Sequence, residues 1–263
     1  MSAPEFDVAD HLEAVGEMVR AAGSLSLDWY RRLDRIENKS AVGFDPVTEA
    51  DRAVESDLRR RLEARFPGHQ ILGEEFGLSG TGRYRWTIDP IDGTRAFISG
   101  QPMWGTLLGF QDDGRPVAGW MYVPPLDESY IGHTSCEFVS DGLRRQVSVS
   151  STTDLADAVV MCTDPTTMFA AGPEADGFAR LAASAKLVRY SGDCLNYGLL
   201  AMGLADLVVE NGLAGYDIVP LIPIIESAGG IVTDREGRLP IDGGFVIAAA
   251  TPELHAAALA ALG

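Results

Sequence analysis

The densest chemical signal in the chain is Trp86-Thr87-Ile88-Asp89-Pro90-Ile91-Asp92-Gly93-Thr94, an apolar run that ends in two carboxylates three residues apart. Carboxylate and carbonyl oxygens gathered at one point are the ligands that hard cations such as Mg²⁺ prefer. Pro90 is expected to stop the strand's ladder and Gly93 to relax the backbone. The chain can then turn sharply and aim both acids, with the Ile91 carbonyl, into one cavity. The amides after Asp92 could bind a phosphate oxygen, particularly if a helical turn starts there. The same spacing also fits a plain acidic turn with a capping Asp. Two further features bear on the choice. Ile71-Leu72-Gly73-Glu74-Glu75 is a second strand-like run ending in carboxylates. Asp217, in Tyr216-Asp217-Ile218, heads an apolar helix, where taken alone it reads as an N-cap.

The elements that must position these acids follow from periodicity. Val8, Leu12, Val15, Val19 and Ala22 step by four and three, the spacing of one helix face, with Asp7 available as a cap. A second helix is predicted after Pro46, where Ala50, Val54, Leu58 and Leu62 recur every four residues up to Phe66-Pro67-Gly68. Thr48 and Asp51 then lie at its first turn. Short apolar runs at Gln70–Gly73, Tyr84–Ile88, Trp104–Phe110 and Val117–Val123 read as strands, the last two joined by a hairpin turn at Asp112-Asp113-Gly114-Arg115. Beyond them strands are expected at Val159–Cys162, Leu187–Tyr190, Asp206–Glu210, Ile231–Thr233 and Phe245–Ala249. Helices are expected at Glu174–Ala185, Cys194–Met202 and Tyr216–Ala228, with a last one from Pro252. This is an α+β chain of layered helices and mixed, partly antiparallel sheets. A soft division near Ser140–Thr153 separates a half at 1–145, carrying Glu74 and Asp89–Thr94, from a half at 146–263, carrying Asp193, Glu210 and Asp217; both are expected to form one unit.

Composition narrows the function. With 38 acidic against 21 basic residues the net charge is −17, which opposes binding to nucleic acid or anionic lipid. An enzyme with an anionic phosphate substrate needs bound cations to invert that field. Cys136, Cys162 and Cys194 are odd in number and widely spaced, so no disulfide framework or zinc knuckle is suggested. Met1–Asp10 has no basic-then-apolar leader, and no apolar run approaches the ~18 residues of a membrane span. A cytoplasmic setting is expected.

Glu74-Glu75, the run Asp89–Thr94, and Tyr216-Asp217 followed by Glu226-Ser227-Ala228-Gly229-Gly230 resemble, in order and spacing over nearly the whole chain, the signature motifs of the inositol monophosphatase superfamily. The resemblance implies an αβαβα sandwich, a homodimer, and Mg²⁺-assisted attack of water on a small phosphate monoester, with Li⁺ inhibition. Two or three Mg²⁺ per site are implied, with Mn²⁺ as an alternative. Glu74, Asp89 and the Ile91 carbonyl would hold one metal, and Asp89, Asp92 and Asp217 a second. Thr94, paired with Asp51, would orient the attacking water, and the Gly93 and Thr94 amides would hold phosphate oxygens. His11, His69, His133 and His255 are left to surface or packing roles.

Arg95-Ala96-Phe97-Ile98-Ser99-Gly100 leading to Trp104-Gly105-Thr106, with Arg189-Tyr190-Ser191-Gly192-Asp193-Cys194, most resembles the bacterial histidinol-phosphate phosphatases of that superfamily. Histidinol phosphate carries an ammonium and an imidazole, which Asp193 and Glu210 could bind by charge-assisted hydrogen bonds, with Trp104 beside them. The competing reading makes Asp193 a helix cap and Glu210 a surface strand end. An inositol or sugar monophosphatase, an aspartyl-nucleophile phosphatase, and a non-catalytic metal- or phosphate-binding domain remain as alternatives. Against the nucleophile class, two residues separate Asp89 from Asp92, where its D-x-D-G-T loop has one.

Overall fold

The computed structural model describes residues 6–32 and 48–263 in full, and residues 37–38 and 46–47 as backbone. Of the Met1–Asp10 leader reading, residues 1–5 lie outside the described residues. Asp7 accepts a hydrogen bond from the Ala9 amide and opens a 3₁₀ turn at Val8–His11, which continues into α1 (Leu12–Gly23). The strand pair β1 (Glu37–Asn38) and β2 (Pro46–Val47) leads to α2 (Glu49–Arg65), whose N-cap is Thr48. A run of strands follows: β3 (Gln70–Gly73), β4 (Gly77–Ser79) and β5 (Tyr84–Asp92). After the short helix α3 (Thr94–Ile98) come β6 (Gly105–Asp112), β7 (Arg115–Val123), β8 (Glu128–Gly132), β9 (Cys136–Ser140) and β10 (Leu143–Val147). The second half alternates: β11 (Val159–Cys162), α4 (Pro165–Met168), α5 (Pro173–Ser184), β12 (Leu187–Tyr190), α6 (Cys194–Ala201) and β13 (Leu207–Ala214). It ends with α7 (Gly215–Ile218), α8 (Leu221–Ser227), β14 (Ile231–Thr233), β15 (Gly243–Ala249) and α9 (Pro252–Leu262).

Two sheets result. The first, in order β10-β9-β8-β7-β6-β5-β3-β4, is antiparallel except for the parallel pair β3–β5. The second, β12-β11-β13-β15-β14, is mixed. Alternation along the strands assigns each face its cover, because successive side chains point to opposite sides. Trp86, Ile88, Leu108 and Trp120 pack beneath Val15, Val19, Val54 and Leu58 of α1 and α2. Leu107, Met121 and Tyr130 face the other way, onto Leu200, Leu221 and Ile224 of α6 and α8, with Val208 and Val246 of the second sheet beyond them. The outer face of that sheet, Val160, Leu207 and Ile247, packs on Phe178, Leu181, Leu254 and Ala258 of α5 and α9. The layers are therefore αβαβα, as expected. No helix among the described residues is long and apolar enough to cross a membrane.

Several elements depart from the sequence reading. The helix expected over Tyr216–Ala228 is two, because Pro220 has no amide hydrogen and cannot continue a ladder from α7; it caps α8 instead. The strand at Tyr84 does not stop at Pro90 but runs to Asp92 across a β-bulge. The turn between β6 and β7 is the two-residue type expected, with Asp113 (φ 50°) and Gly114 (φ 80°) both left-handed.

One close approach ties the middle layer to the first sheet. Gly109, Gly119 and Gly132 are register partners on three neighbouring strands, which leaves a channel without side chains. The Val219-Pro220 junction and the Ile224 backbone lie in that channel, and a Cβ on Gly119 would collide with the Pro220 carbonyl. Overpacking of this kind costs about 1–3 kcal/mol. Gly119→Ala is therefore expected to destabilise the fold by about 2 kcal/mol or more in urea unfolding, because a backbone carbonyl has no rotamer by which to yield.

Candidate metal centre and adjoining cavities

Gly73 pairs with Ile88 across the parallel strands β3 and β5, so Glu74 and Asp89 leave the sheet side by side; the Glu74 amide donates to the Ile88 carbonyl at 3.3 Å. Asp89 and Asp92 would point to opposite faces of a regular strand, since three is an odd number of steps. The bulge cancels this. Asp89 pairs with Leu107 and Asp92 with Gly105, so β5 spends one extra residue there, and Pro90 occupies a place where a missing amide hydrogen breaks no bond. Thr106 Oγ1 donates to the Pro90 carbonyl at 2.8 Å and fixes the distortion.

Asp217 arrives from the second half of the chain. It is not the N-cap of its helix: it stands in the first turn of α7, and its Oδ2 reaches back to accept the Ala214 amide at 2.7 Å. Asp89, Asp92 and Asp217 each present an oxygen within 4.8 Å of the others. Asp89 is 2% exposed and its Oδ1 has no hydrogen-bond partner. Burial, then the negative charges of Glu74, Asp92 and Asp217, push the Asp89 carboxyl well above its ordinary range. Burial and the charges of Asp193 and Asp217 do the same to Asp92, although its Oδ2 accepts the Cys194 amide at 2.5 Å. Burial brings Asp217 up to about 6. Acids crowded like this need protons or a cation, and an orphaned buried carboxylate oxygen aimed among them fits the oxygen donor set of a hard divalent cation. Glu74 lies near enough to act on Asp89 electrostatically but outside the three-carboxylate group.

Behind Glu74 lies a support that sequence reading did not find. Glu55 of α2 is wholly buried, accepts Arg59 Nε at 2.7 Å and the Glu75 amide at 2.6 Å, and lies where a Gly73 side chain would be. Arg59 in turn donates to Ser79 Oγ and the Gly77 carbonyl. The β3–β4 connection bearing Glu74 is thus clamped to α2.

Gly93, in the left-handed conformation (φ 86°), caps α3, and Thr94 and Arg95 form its first turn, where amides have no carbonyl one turn back. Thr94 Oγ1 donates to the Ile91 carbonyl at 3.1 Å, which leaves that oxygen a second lone pair. The bond expected between Thr94 and Asp51 is replaced by local ones: Asp51 Oδ2 accepts the Thr48 amide at 2.8 Å and Thr48 Oγ1 at 2.6 Å, completing the capping box of α2.

A cavity of about 310 Å³ is lined by Asp92, Gly93, Thr94, Arg95, Asp193 and Asp217, among others. A second of about 460 Å³ shares Arg95, Thr163, Asp164 and Asp193 with it and extends to Gln101 and Tyr190. Asp193 faces both. Its side chain makes no capping bond to α6, and burial with the nearby Glu210 charge raises it to about 7. Trp104, expected to touch substrate, instead packs with Ile91, Ala96 and Phe97; it is fully buried, edge-on to Phe97 at 4.8 Å. Glu210 is not a surface strand end: it is 1% exposed, with its oxygens taken by Thr163, Asn196 and Tyr197. The histidines are elsewhere. His69 stacks on Phe66 and Trp86, His11 on Phe6, His133 bonds the Val117 carbonyl and His255 meets Thr233. Thr163 and Asp164, which border both cavities, were not singled out from sequence; their signal was their place directly after the strand at Val159–Cys162.

Comparison with known proteins agrees with this geometry. The profile of the inositol monophosphatase family matches residues 7–263. The chain is 35% identical over 233 residues to the chloroplastic bifunctional phosphatase IMPL2 of Arabidopsis thaliana, covering 87% of this chain and 66% of that protein. It is 34% identical over 254 residues to the histidinol-phosphatase of Chlorobaculum parvum, covering 96% of each. The solved structure of an inositol monophosphatase from Zymomonas mobilis superposes with a TM-score of 0.85 at 34% identity, over 98% of this chain and 99% of that one. Motifs, fold and likeness agree: this chain belongs to the inositol monophosphatase family of phosphatases.

Proposed function

We propose that the protein is a Mg²⁺-dependent phosphatase that hydrolyses L-histidinol phosphate to L-histidinol, a step of histidine biosynthesis. The observation that carries the metal dependence is the convergence of Asp89, Asp92 and Asp217 around an unpartnered, buried Asp89 oxygen. These three would hold the cations, with Glu74 and the free lone pair of the Ile91 carbonyl completing the set. The chemistry that Mg²⁺ supplies when held there is charge neutralisation at the phosphoryl group and a lowered pKa for the attacking water. The Gly93 and Thr94 amides would bind phosphoryl oxygens at the first turn of α3. The Thr94 hydroxyl and the Glu74 carboxylate would orient the water, and Asp51 would contribute through the cap that sets the start of α2. No histidine is required for proton transfer.

The substrate assignment is supported by Asp193 on the wall of the larger cavity and by the histidinol-phosphatase relative that matches end to end. Asp193 would pair with the ammonium or imidazolium of the alcohol. Hydrolysis of inositol phosphate is the second reading, favoured by the likeness to the Zymomonas mobilis structure. A homodimer in a reducing compartment, in keeping with three buried free thiols, completes the proposal.

A phosphate-release screen over histidinol phosphate, inositol 1-phosphate, fructose bisphosphate and 3′-phosphoadenosine nucleotides, with Mg²⁺ and with added Li⁺, tests the assignment. Histidinol phosphate is expected to give the highest kcat/KM and to be inhibited by Li⁺; release from inositol phosphate but not from histidinol phosphate would replace it with the second reading. Asp92→Asn is expected to lower kcat by about a hundredfold or more, since even outer partners of metal ligands are worth 10–100-fold. The metal-free variant should melt no lower than the parent, because a crowded charge has been removed. The pH dependence has a definite sign. Folded-state values raised to about 6 at Asp217 and about 7 at Asp193 stabilise the metal-free protein below their unfolded values near 4, and that contribution is lost as pH rises through 6 and 7. The melting temperature without metal should thus fall over this window. The increment added by Mg²⁺ should grow over it, as ligands give up protons to bind metal.

A further inference from the structure

The turn entering α6 contains three successive residues of positive φ: Ser191 (69°), Gly192 (135°) and Asp193 (46°). Two of them carry side chains, and such a run persists only where its surroundings over-determine it. Thr163, the first residue after β11, provides the constraint. Its carbonyl accepts the Ser191 amide at 2.9 Å, and its Oγ1 accepts the Asp193 amide at 3.1 Å. The hydroxyl is itself fixed, since it donates to Glu210 Oε1 at 2.6 Å while the Thr163 amide donates to the same oxygen at 2.9 Å. Asn196 Nδ2 reaches that oxygen at 3.4 Å, and Tyr197 OH donates to Oε2 at 2.9 Å. Asn196 also closes beneath the turn, where a side chain at Gly192 would strike its Oδ1.

We infer that Thr163 is a positioning residue for substrate choice. Backed by the buried Glu210, it holds the strained 191–193 turn so that the Asp193 carboxylate faces the leaving-group cavity. Glu210 anchors this lattice: four donors occupy its two oxygens and it is 1% exposed. The inference rests on the proposed contact between Asp193 and a cationic alcohol. It differs from a plain packing role in a specific way, because loss of the lattice should impair recognition of the cation more than hydrolysis in general.

The test compares kcat/KM for histidinol phosphate with that for β-glycerophosphate, whose alcohol is uncharged, in the Mg²⁺-loaded enzyme. Thr163→Val keeps the shape and removes the hydroxyl. The ratio is expected to fall by about tenfold or more, chiefly through KM for histidinol phosphate, and Thr163→Ser is expected to keep it within about threefold of the parent. A crystal structure of Thr163→Val should show the Asp193 φ relaxed to a negative value. Glu210→Gln retains an acceptor toward Thr163 and can donate to Tyr197 OH, so its ratio should also stay within about threefold. That variant decides the matter even if valine is not tolerated at 163. A Glu210→Gln loss as large as that of Asp193→Asn would show Glu210 reading the substrate directly and overturn the inference. So would a Thr163→Val enzyme with both ratio and turn unchanged while Asp193→Asn loses selectivity. If Asp193→Asn itself leaves the ratio intact, the proposed role of Asp193 fails and the inference falls with it.

Discussion

Asp89, Asp92 and Asp217 hold oxygens within 4.8 Å of one another, and one of those side chains is buried with an oxygen that meets no donor. In an apolar setting, negative charges so close to one another repel strongly and have lost the water that would screen them. The local fold therefore works against its own electrostatics, and packing elsewhere must hold the groups together. The two-sheet core provides that rigidity, with its largest aromatic side chains, Trp86, Trp104, Trp120 and Tyr130, fully buried. A site that is costly when empty of counter-charge is correspondingly ready to take a cation, since relief of repulsion adds to the gain of ligation.

Each acid is held by a different device. A bulge brings Asp92 round to the side of Asp89. The buried Glu55–Arg59 pair clamps the connection that carries Glu74. The glycine channel across β6, β7 and β8 lets the α7–α8 junction lie directly on the first sheet, which sets the height at which Asp217 meets the other two. The geometry of the acidic cluster is thus specified at a distance, by residues outside it. The second sheet contributes in the same way. Glu210, in the middle of β13, and Thr163, directly after β11, shape the turn that bears Asp193.

Much of this was legible in the sequence. Apolar spacing of three and four residues located α1 and α2, and the bounds expected for β3, β11, β12 and β14 are those found. The acidic motifs were visible because the chemistry demands particular residue types. What was not legible depends on partners distant in sequence. Pro90 reads locally as a strand terminator, and only pairing with β6 turns it into a bulge. Asp217 reads as a cap, and only the position of Ala214 shows it bonding back from the first turn. Trp104 fits an aromatic pocket wall as well as a core, and burial alone separates them. Strands β8 to β10 were missed because their runs are short or polar; β10, Leu-Arg-Arg-Gln-Val, is an exposed edge strand recognisable mainly by its pairing with β9. Thr163 carries no motif at all, and its part emerges only when the left-handed turn at 191–193 is seen above it.

The claim that the acidic cluster is a metal centre is tested most directly by anomalous diffraction from crystals grown with Mn²⁺, which replaces Mg²⁺ at oxygen sites and scatters strongly enough to be located. The predicted result is a peak among Asp89, Asp92 and Asp217, with the Asp89 Oδ1 in its coordination sphere. A map with no peak there at saturating Mn²⁺, from protein whose phosphatase activity survives chelation, would contradict it.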